Sequence, residues 1–209
     1  IRILTVYPSA KEDATLEASL YVADLKPLSP SYEALSYVWG DSLEATSLLI
    51  QGYHLPITDN SFSALRRIQH QYNLRDLWVD AVCTDQSSSS DKNDQVNRMY
   101  QIYSRAKNTI ICLGELDDDT DRAMDRIEGM GGGENSYLYD YAPNEEEMRR
   151  IKTVLERPWW SRVWTMQGSL VFASGLLQCL PAVRCSICYR SAALIVQLIR
   201  LARVCFHTR

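Results

Sequence analysis

Three short apolar runs in this sequence end in polar residues able to recognise a ligand. The run from Ala34 ends at Trp39-Gly40-Asp41, the run from Asp76 at Cys83-Thr84-Asp85-Gln86, and the run from Thr109 at Gly114-Glu115. Asp41, Asp85 and Glu115 offer acceptors, Gln86 a donor and an acceptor, and Trp39 a planar ring for stacking. Each also has a structural reading. Asp41 follows Gly40, where aspartate is a common turn residue. A strand tryptophan such as Trp39 usually packs in a core. Asp85 and Gln86 read equally as an ordinary loop. Asp80 falls opposite Leu77, Val79 and Ala81 on its strand, where a carboxylate either serves a site or pairs with a base such as Arg66 or Arg105.

Other reactive residue types are less well placed. Cys83 is a nucleophile only beside a positioned base, and His54, His70 and His207 lie in none of these runs. A buried structural thiol is the better reading. Cys185-Ser186-Ile187-Cys188, near Cys179 and Cys205, has the spacing of half a zinc site, but no second matched pair follows. Asp117-Asp118-Asp119 and Asp121 lack the glycine and distal glutamate of a calcium loop. They suit a helix N-terminus, where carboxylates complement the dipole. Trp159, Trp160 and Trp164 surround Arg162. Packing suits Trp159 and Trp164, while Arg162 is open between packing, stacking on a ring and facing a phosphate.

These groups act together only if secondary structure carries them to one place. Ala34 to Trp39 reads as a strand stopped by Gly40-Asp41. Leu48-Leu49-Ile50 and His54-Leu55-Pro56-Ile57 flank Gln51-Gly52-Tyr53 as a hairpin, and Pro56 puts its second strand at an edge. Asp59 or Asn60 caps a helix with Phe62, Leu65 and Ile68 on its inner face. Asp76 to Cys83 is strand-like, and Ser87 to Ser90 is a solvated loop. Val96, Met99, Tyr100, Tyr103 and Ala106 recur at helical spacing. Thr109 to Leu113 is a strand ended by Gly114. Gly131-Gly132-Gly133 marks a turning or flexible segment. Asn144 and Glu147 form a capping box for a helix to about Arg157, stopped by Pro158. The C-terminal stretch reads as a strand and a helix through Ala192 to Val204.

Strands alternating with helices predict an α/β fold: a mostly parallel central sheet flanked by helices, with an added N-terminal strand and a β-hairpin. Ligands bind such sheets beyond the carboxyl ends of the strands. The three polar tips therefore converge on one rim.

Composition narrows the class. The chain has 209 residues, 46% hydrophobic and 23% charged, with net charge -4, ordinary values for a folded protein able to bury its own core. It lacks the basic footprint of a nucleic-acid binder. Six cysteines without a regular framework point to free thiols in a reducing compartment. Ile1 to Val6 alternates like a strand rather than a secretory signal. The most apolar stretches, Ser169 to Val183 and Ala192 to Phe206, are interrupted by polar residues and fall short of the ~20 apolar residues of a membrane span.

The tips also carry a family pattern. Tyr32-Glu33-Ala34-Leu35-Ser36-Tyr37-Val38-Trp39-Gly40-Asp41 closely resembles the opening signature of the fungal heterokaryon-incompatibility (HET) domain. Leu77-Trp78-Val79-Asp80-Ala81-Val82-Cys83-Thr84-Asp85-Gln86 resembles its second signature, which usually ends Ile-Asn-Gln. Gln95 to Met99 with Ile102 to Ala106, Ile110 to Gly114, and Pro158 to Gln167 resemble the helix, strand and closing motif that follow.

The resemblance implies a cytoplasmic signalling module of self/non-self recognition and programmed cell death, clustered by a partner protein or by itself. It further implies a distant likeness to the Toll/interleukin-receptor-type (TIR) fold of innate immunity, some members of which hydrolyse NAD with a glutamate. The closing motif normally continues from Gln to Glu, whereas Gly168 follows Gln167 here. An NAD glycohydrolase would then rely on Asp41, Asp80 or Glu115, with Trp39, Gly40, Asp85, Gln86 and Arg162 binding the ligand. NAD would be a substrate, and no metal or resident cofactor is expected. The third reading is an inactive copy that only binds partners. The match covers residues 1 to 168 as the HET domain and leaves 169 to 209 as a C-terminal extension.

Overall fold

The computed structural model describes residues 1–11, 13–25, 31–40, 46–114, 118–130, 143–161 and 188–189. The chain divides into two units, Ile1–Cys112 and Leu113–Arg209.

Among its described residues the first unit holds β1 (Arg2–Val6), β2 (Glu17–Val22), β3 (Glu33–Tyr37), β4 (Thr46–Ile50), β5 (Tyr53–Ile57), β6 (Arg75–Val79) and β7 (Asn108–Cys112). They form one sheet in the order β5-β4-β2-β1-β6-β3-β7. Its centre is parallel: β3 lies between β6 and β7, with Leu35 level with Val79 and Ile110. β7 is buried at every position, as expected of a strand covered on both faces.

The expected N-terminal strand and hairpin are present, and they make the sheet mixed. β1 runs antiparallel to both β2 and β6, so the first strand is inserted within the sheet. β4 is parallel to β2 and antiparallel to β5. Gln51 and Gly52 both have positive φ, 50° and 89°, which joins β4 to β5 through a two-residue turn matched to the strand twist. Pro56 sits on β5 at the sheet edge, where its missing N–H costs no ladder bond.

Helix α1 (Asp59–Ile68) is capped by Thr58, whose side chain accepts from the Ser61 N–H. This corrects the expected cap at Asp59 or Asn60. The inner face is also rotated from expectation. Ser61, Ala64, Leu65 and Ile68 are buried, whereas Phe62 is half-buried with the Arg66 guanidinium 5.3 Å from its ring centre. Ser61 is admitted to the interior because its hydroxyl donates to the Tyr37 hydroxyl at 2.8 Å and lies 2.8 Å from Thr58 Oγ1.

The second run is shorter as a strand than the sequence suggests. β6 ends at Val79, and Asp80–Cys83 forms a helical turn, α2. Asp80 therefore opens a turn instead of standing on a strand face. Helix α3 (Ser89–Arg105) is capped by Ser88. It buries Gln95 and Ile102, while Val96 and Tyr100, expected inside, are 43% and 65% exposed.

Strand registers place the helices on opposite faces. Glu33, Leu35 and Tyr37 share a face with Leu77 and Val79, and Ala34 shares the other with Trp78. α1 meets the first face through Ser61 and Tyr37. α3 meets the second, where Tyr103 packs edge-on to Trp78 with ring centres 5.5 Å apart. α1 also runs against the strands. Its last residue, Ile68, accepts from Arg75 at the start of β6, while its first turn reaches Tyr37 at the end of β3.

The starts of the parallel strands carry a buried polar clamp absent from the expectations above. Arg75 Nε donates to Glu33 at 2.6 Å, and Asn108 donates to the other oxygen of Glu33 at 3.1 Å. The three residues begin β6, β3 and β7 in turn, so the clamp fixes their mutual register.

In the second unit, α4 (Asp118–Met130) and α5 (Glu145–Leu155) pack together. Asp118, Asp119 and Asp121 occupy the first turn of α4, the expected dipole-complementing position, and the Asn144–Glu147 capping box is present. Arg149 and Arg150 bind Asp119, and the Arg149 hydrogen bond chiefly holds its carboxyl below the usual range. Pro158–Ser161 forms a 3-10 turn. There Trp159 is buried at 1% exposure and meets Trp160 edge-on, the packing role expected of it. A two-residue strand, β8, is Cys188–Tyr189. Gly131 to Gly133, Trp164, and the helix expected through Ala192 to Val204 lie outside the described residues.

Candidate functional site

At the carboxyl ends of β3 and β6 the polypeptide turns sharply twice. After β3, Val38-Trp39-Gly40 forms a tip in which Gly40 has φ 77°, a left-handed conformation that favours glycine. A Cβ on Gly40 would also sit 2.9 Å from Asn60 Nδ2. Asn60, in the first turn of α1, donates to the Val38 carbonyl at 3.1 Å.

After β6, Asp80 opens α2 beside this tip. The Trp39 indole N–H donates to Asp80 Oδ2 at 2.8 Å, and the Ala81 N–H donates to Oδ1 at 2.8 Å. Arg66, one of the bases considered for Asp80, bonds Gln69 and the Ala14 carbonyl. Trp39 is half-buried, so it is neither a core residue nor a free side chain. It is an indole whose polar edge is fixed by a carboxylate.

Asp85 and Gln86 lie in the loop between α2 and α3. Asp85 Oδ1 accepts from the Ser87 N–H at 2.9 Å and from its hydroxyl at 2.6 Å. Those bonds, the side-chain one first, lower its pKa. Gln86 donates to the carbonyls of Asp80 and Thr84 at 3.1 and 3.3 Å, stapling α2. Asp91 accepts from the Asp85 N–H and pairs with Arg2. Arg2 also donates to the Cys83 carbonyl at 2.7 Å, so β1 holds the loop that follows α2.

Cys83 is fully buried. The Val79 N–H points at its sulfur from 3.3 Å, and burial pushes the thiol up to about 12. It is a structural thiol, since nucleophilic cysteine needs thiolate at working pH.

The fold thus brings together Trp39, Gly40, Asp80 and Gln86, with Asp85 just beyond. Gly114, with φ 113°, belongs to the second unit. Asp41, Glu115 and Arg162 lie outside the described residues. Sequence reasoning missed Asn60 as a contact of the tip, having read it only as a helix cap. No periodicity signals a helix residue that reaches back to a strand end.

The family model described as "Heterokaryon incompatibility protein (HET)" matches residues 32–168, which include every described residue of this site. The chain belongs to the HET family. A similar curated protein is "Heterokaryon incompatibility protein 6, OR allele" of Neurospora crassa, 27% identical over 86% of this HET chain and 33% of its own length. The chain therefore spans about a third of that relative. No solved structure matches it. Among the described residues no helix is long and apolar enough to cross a membrane.

Proposed function

We propose that this chain is the HET module of a fungal incompatibility system, with residues 1–168 as the module and 169–209 as its extension. It acts in the cytoplasm in self/non-self recognition and triggers programmed cell death when a protein partner or self-association clusters it. The family match over residues 32–168 carries this reading. The Trp39–Asp80 tip, held at strand ends where α/β sheets bind their ligands, supports that rim as its working surface. The test is inducible expression in a filamentous fungus. Expression arrests growth, and Trp39→Ala or Asp80→Ala relieves the arrest. Arrest of equal strength in both variants would sink the assignment of the rim, and no arrest even on forced clustering would sink the reading as a whole.

A second reading, NAD glycohydrolase, has support from one feature: a carboxylate anchored by two N–H donors beside an indole. In that reaction the bond between the ribose anomeric carbon and the nicotinamide nitrogen breaks. Nicotinamide leaves with the bonding pair, water adds to the carbon, and one proton is released. A carboxylate stabilises the oxocarbenium-like cation between these events. Gly168 supplies no such charge. Nicotinamide release from the oligomerised chain, alongside Gly168→Glu, decides the matter. Silence in both eliminates the reaction, and release only by the variant assigns the loss to the missing acid.

A further inference from the structure

We propose that Asn60 is a positioning residue for the Trp39 tip, setting how the indole is presented beside Asp80. The proposal deepens the assignment of the rim and rests on that reading only for its functional consequence.

The geometry starts with α1, which is docked at both ends. At its C-terminus the Ile68 carbonyl accepts from Arg75 at 2.6 Å, a side chain locked in the buried clamp. At its N-terminus Thr58, Ser61 and Tyr37 form a buried chain of hydroxyls. The first turn of α1 is therefore a fixed reference at the carboxyl ends of the strands. Two consecutive residues project from it to either side of the β3–β4 connection. Asp59 accepts from the Thr46 hydroxyl at 3.2 Å, just where β4 begins. Asn60 donates to the Val38 carbonyl at 3.1 Å, just after β3 ends.

Asn60 then acts on the tip in two ways. Its amide fixes the peptide that precedes Trp39. Its Nδ2 also occupies the space that a side chain at position 40 would need, 2.9 Å from such a Cβ. Gly40 accepts both the left-handed backbone and this close approach, so the two residues form one fitted contact. Trp39 lies between Val38 and Gly40 in sequence, so holding the peptide on each side sets how its indole meets Asp80. The contact acts on Asp80 through Trp39, so the role of Asn60 is in positioning.

The test uses the intact chain labelled with nitrogen-15. The five tryptophans give separate indole N–H signals, and loss of one in Trp39→Phe identifies Trp39. A hydrogen bond to a carboxylate moves this signal downfield and slows its exchange with water. In Asn60→Ala, and in Asn60→Asp, which keeps the size but lacks the donor, the Trp39 signal moves upfield. Its exchange quickens by about twofold to tenfold, the range for one hydrogen bond of ordinary net strength. The Trp78 signal stays in place. Asn60→Ala also makes a following Gly40→Ala change less damaging than it is alone, because the two share a contact. An unmoved Trp39 signal in both Asn60 variants overturns the proposal, as does collapse of all indole signals together. Growth arrest separates the two ideas. A shifted Trp39 signal with undiminished arrest supports the positioning role and removes the rim from function.

Discussion

Replacing Glu33 by Gln tests the clamp that sets the strand register. Arg75 is 7% exposed and Glu33 14%, with Nε and Oε2 2.6 Å apart. Arg75 NH1 has the Ile68 carbonyl as partner, while NH2 is buried without one among the described residues. Neutralising Glu33 leaves a buried guanidinium held by a neutral amide and one carbonyl. Breaking such a pair from one side costs about 3–5 kcal/mol, a large part of the roughly 5–15 kcal/mol that holds a domain together. For a chain of this size that lowers Tm by about 6–20 °C. Removing the buried charge as well, in Glu33→Gln with Arg75→Met, leaves mainly an unpaired Ile68 carbonyl, at about 1–3 kcal/mol. The double variant is thus expected to be more stable than Glu33→Gln alone. Near-UV circular dichroism on heating, which follows Trp39 and Trp78, measures both. A Glu33→Gln midpoint within about 2 °C of the parent, or a double variant that loses the sum of both single changes, would falsify the account of the clamp.

Gly40→Ala combines a left-handed backbone with a 2.9 Å approach to Asn60. It is expected to cost at least about 1 kcal/mol by urea denaturation, and an unchanged midpoint would contradict the tip geometry. Asp85, Asp91, Asp119 and Glu146 all have carboxyl pKa values lowered by their hydrogen-bond donors. Their stabilisation is present above the ordinary carboxylate range and is lost as pH falls through the lowered values. The melting temperature should therefore hold between about pH 5 and 7 and drop below about pH 4, more gently in Asp91→Asn. Cys83 behaves oppositely. Its thiol is raised by burial from 9.0 to about 12, so the folded state keeps a proton that the unfolded state loses, and stability falls as pH rises through that interval. In mass mapping at pH 8, native Cys83 should resist iodoacetamide and react once unfolded. Rapid native labelling would contradict its burial.

Much of this architecture was legible in local pattern. Gln51-Gly52 between two apolar runs specifies a tight hairpin because few residues tolerate positive φ, and the structure has both there. Asn144 and Glu147 specify a helix start because their reciprocal bonds involve only nearby backbone. The parallel centre follows from strands separated by helices, and the family pattern from signatures at those strand ends. The errors came where tertiary contacts override local preference. Val96 and Tyr100 have the right spacing for an inner face, yet α3 is turned so that Gln95 and Ile102 meet the sheet. Phe62 was expected on the inner face of α1, yet Ser61 is buried there because Tyr37 and Thr58 satisfy its hydroxyl.

By itself, then, the sequence determined the family, the α/β class and the polar tips, because turns, caps and periodicity depend on neighbours along the chain. Only the tertiary structure decided what those tips are. It ended β6 at Val79 so that Asp80 opens a helical turn, and it set the Trp39 indole against that carboxylate. It also tied Glu33 to Arg75 and Asn60 to Val38, across 42 and 22 residues of chain. Such contacts depend on how far each strand runs and which way each helix turns. Those quantities are settled by packing across the sheet and leave no period in the sequence.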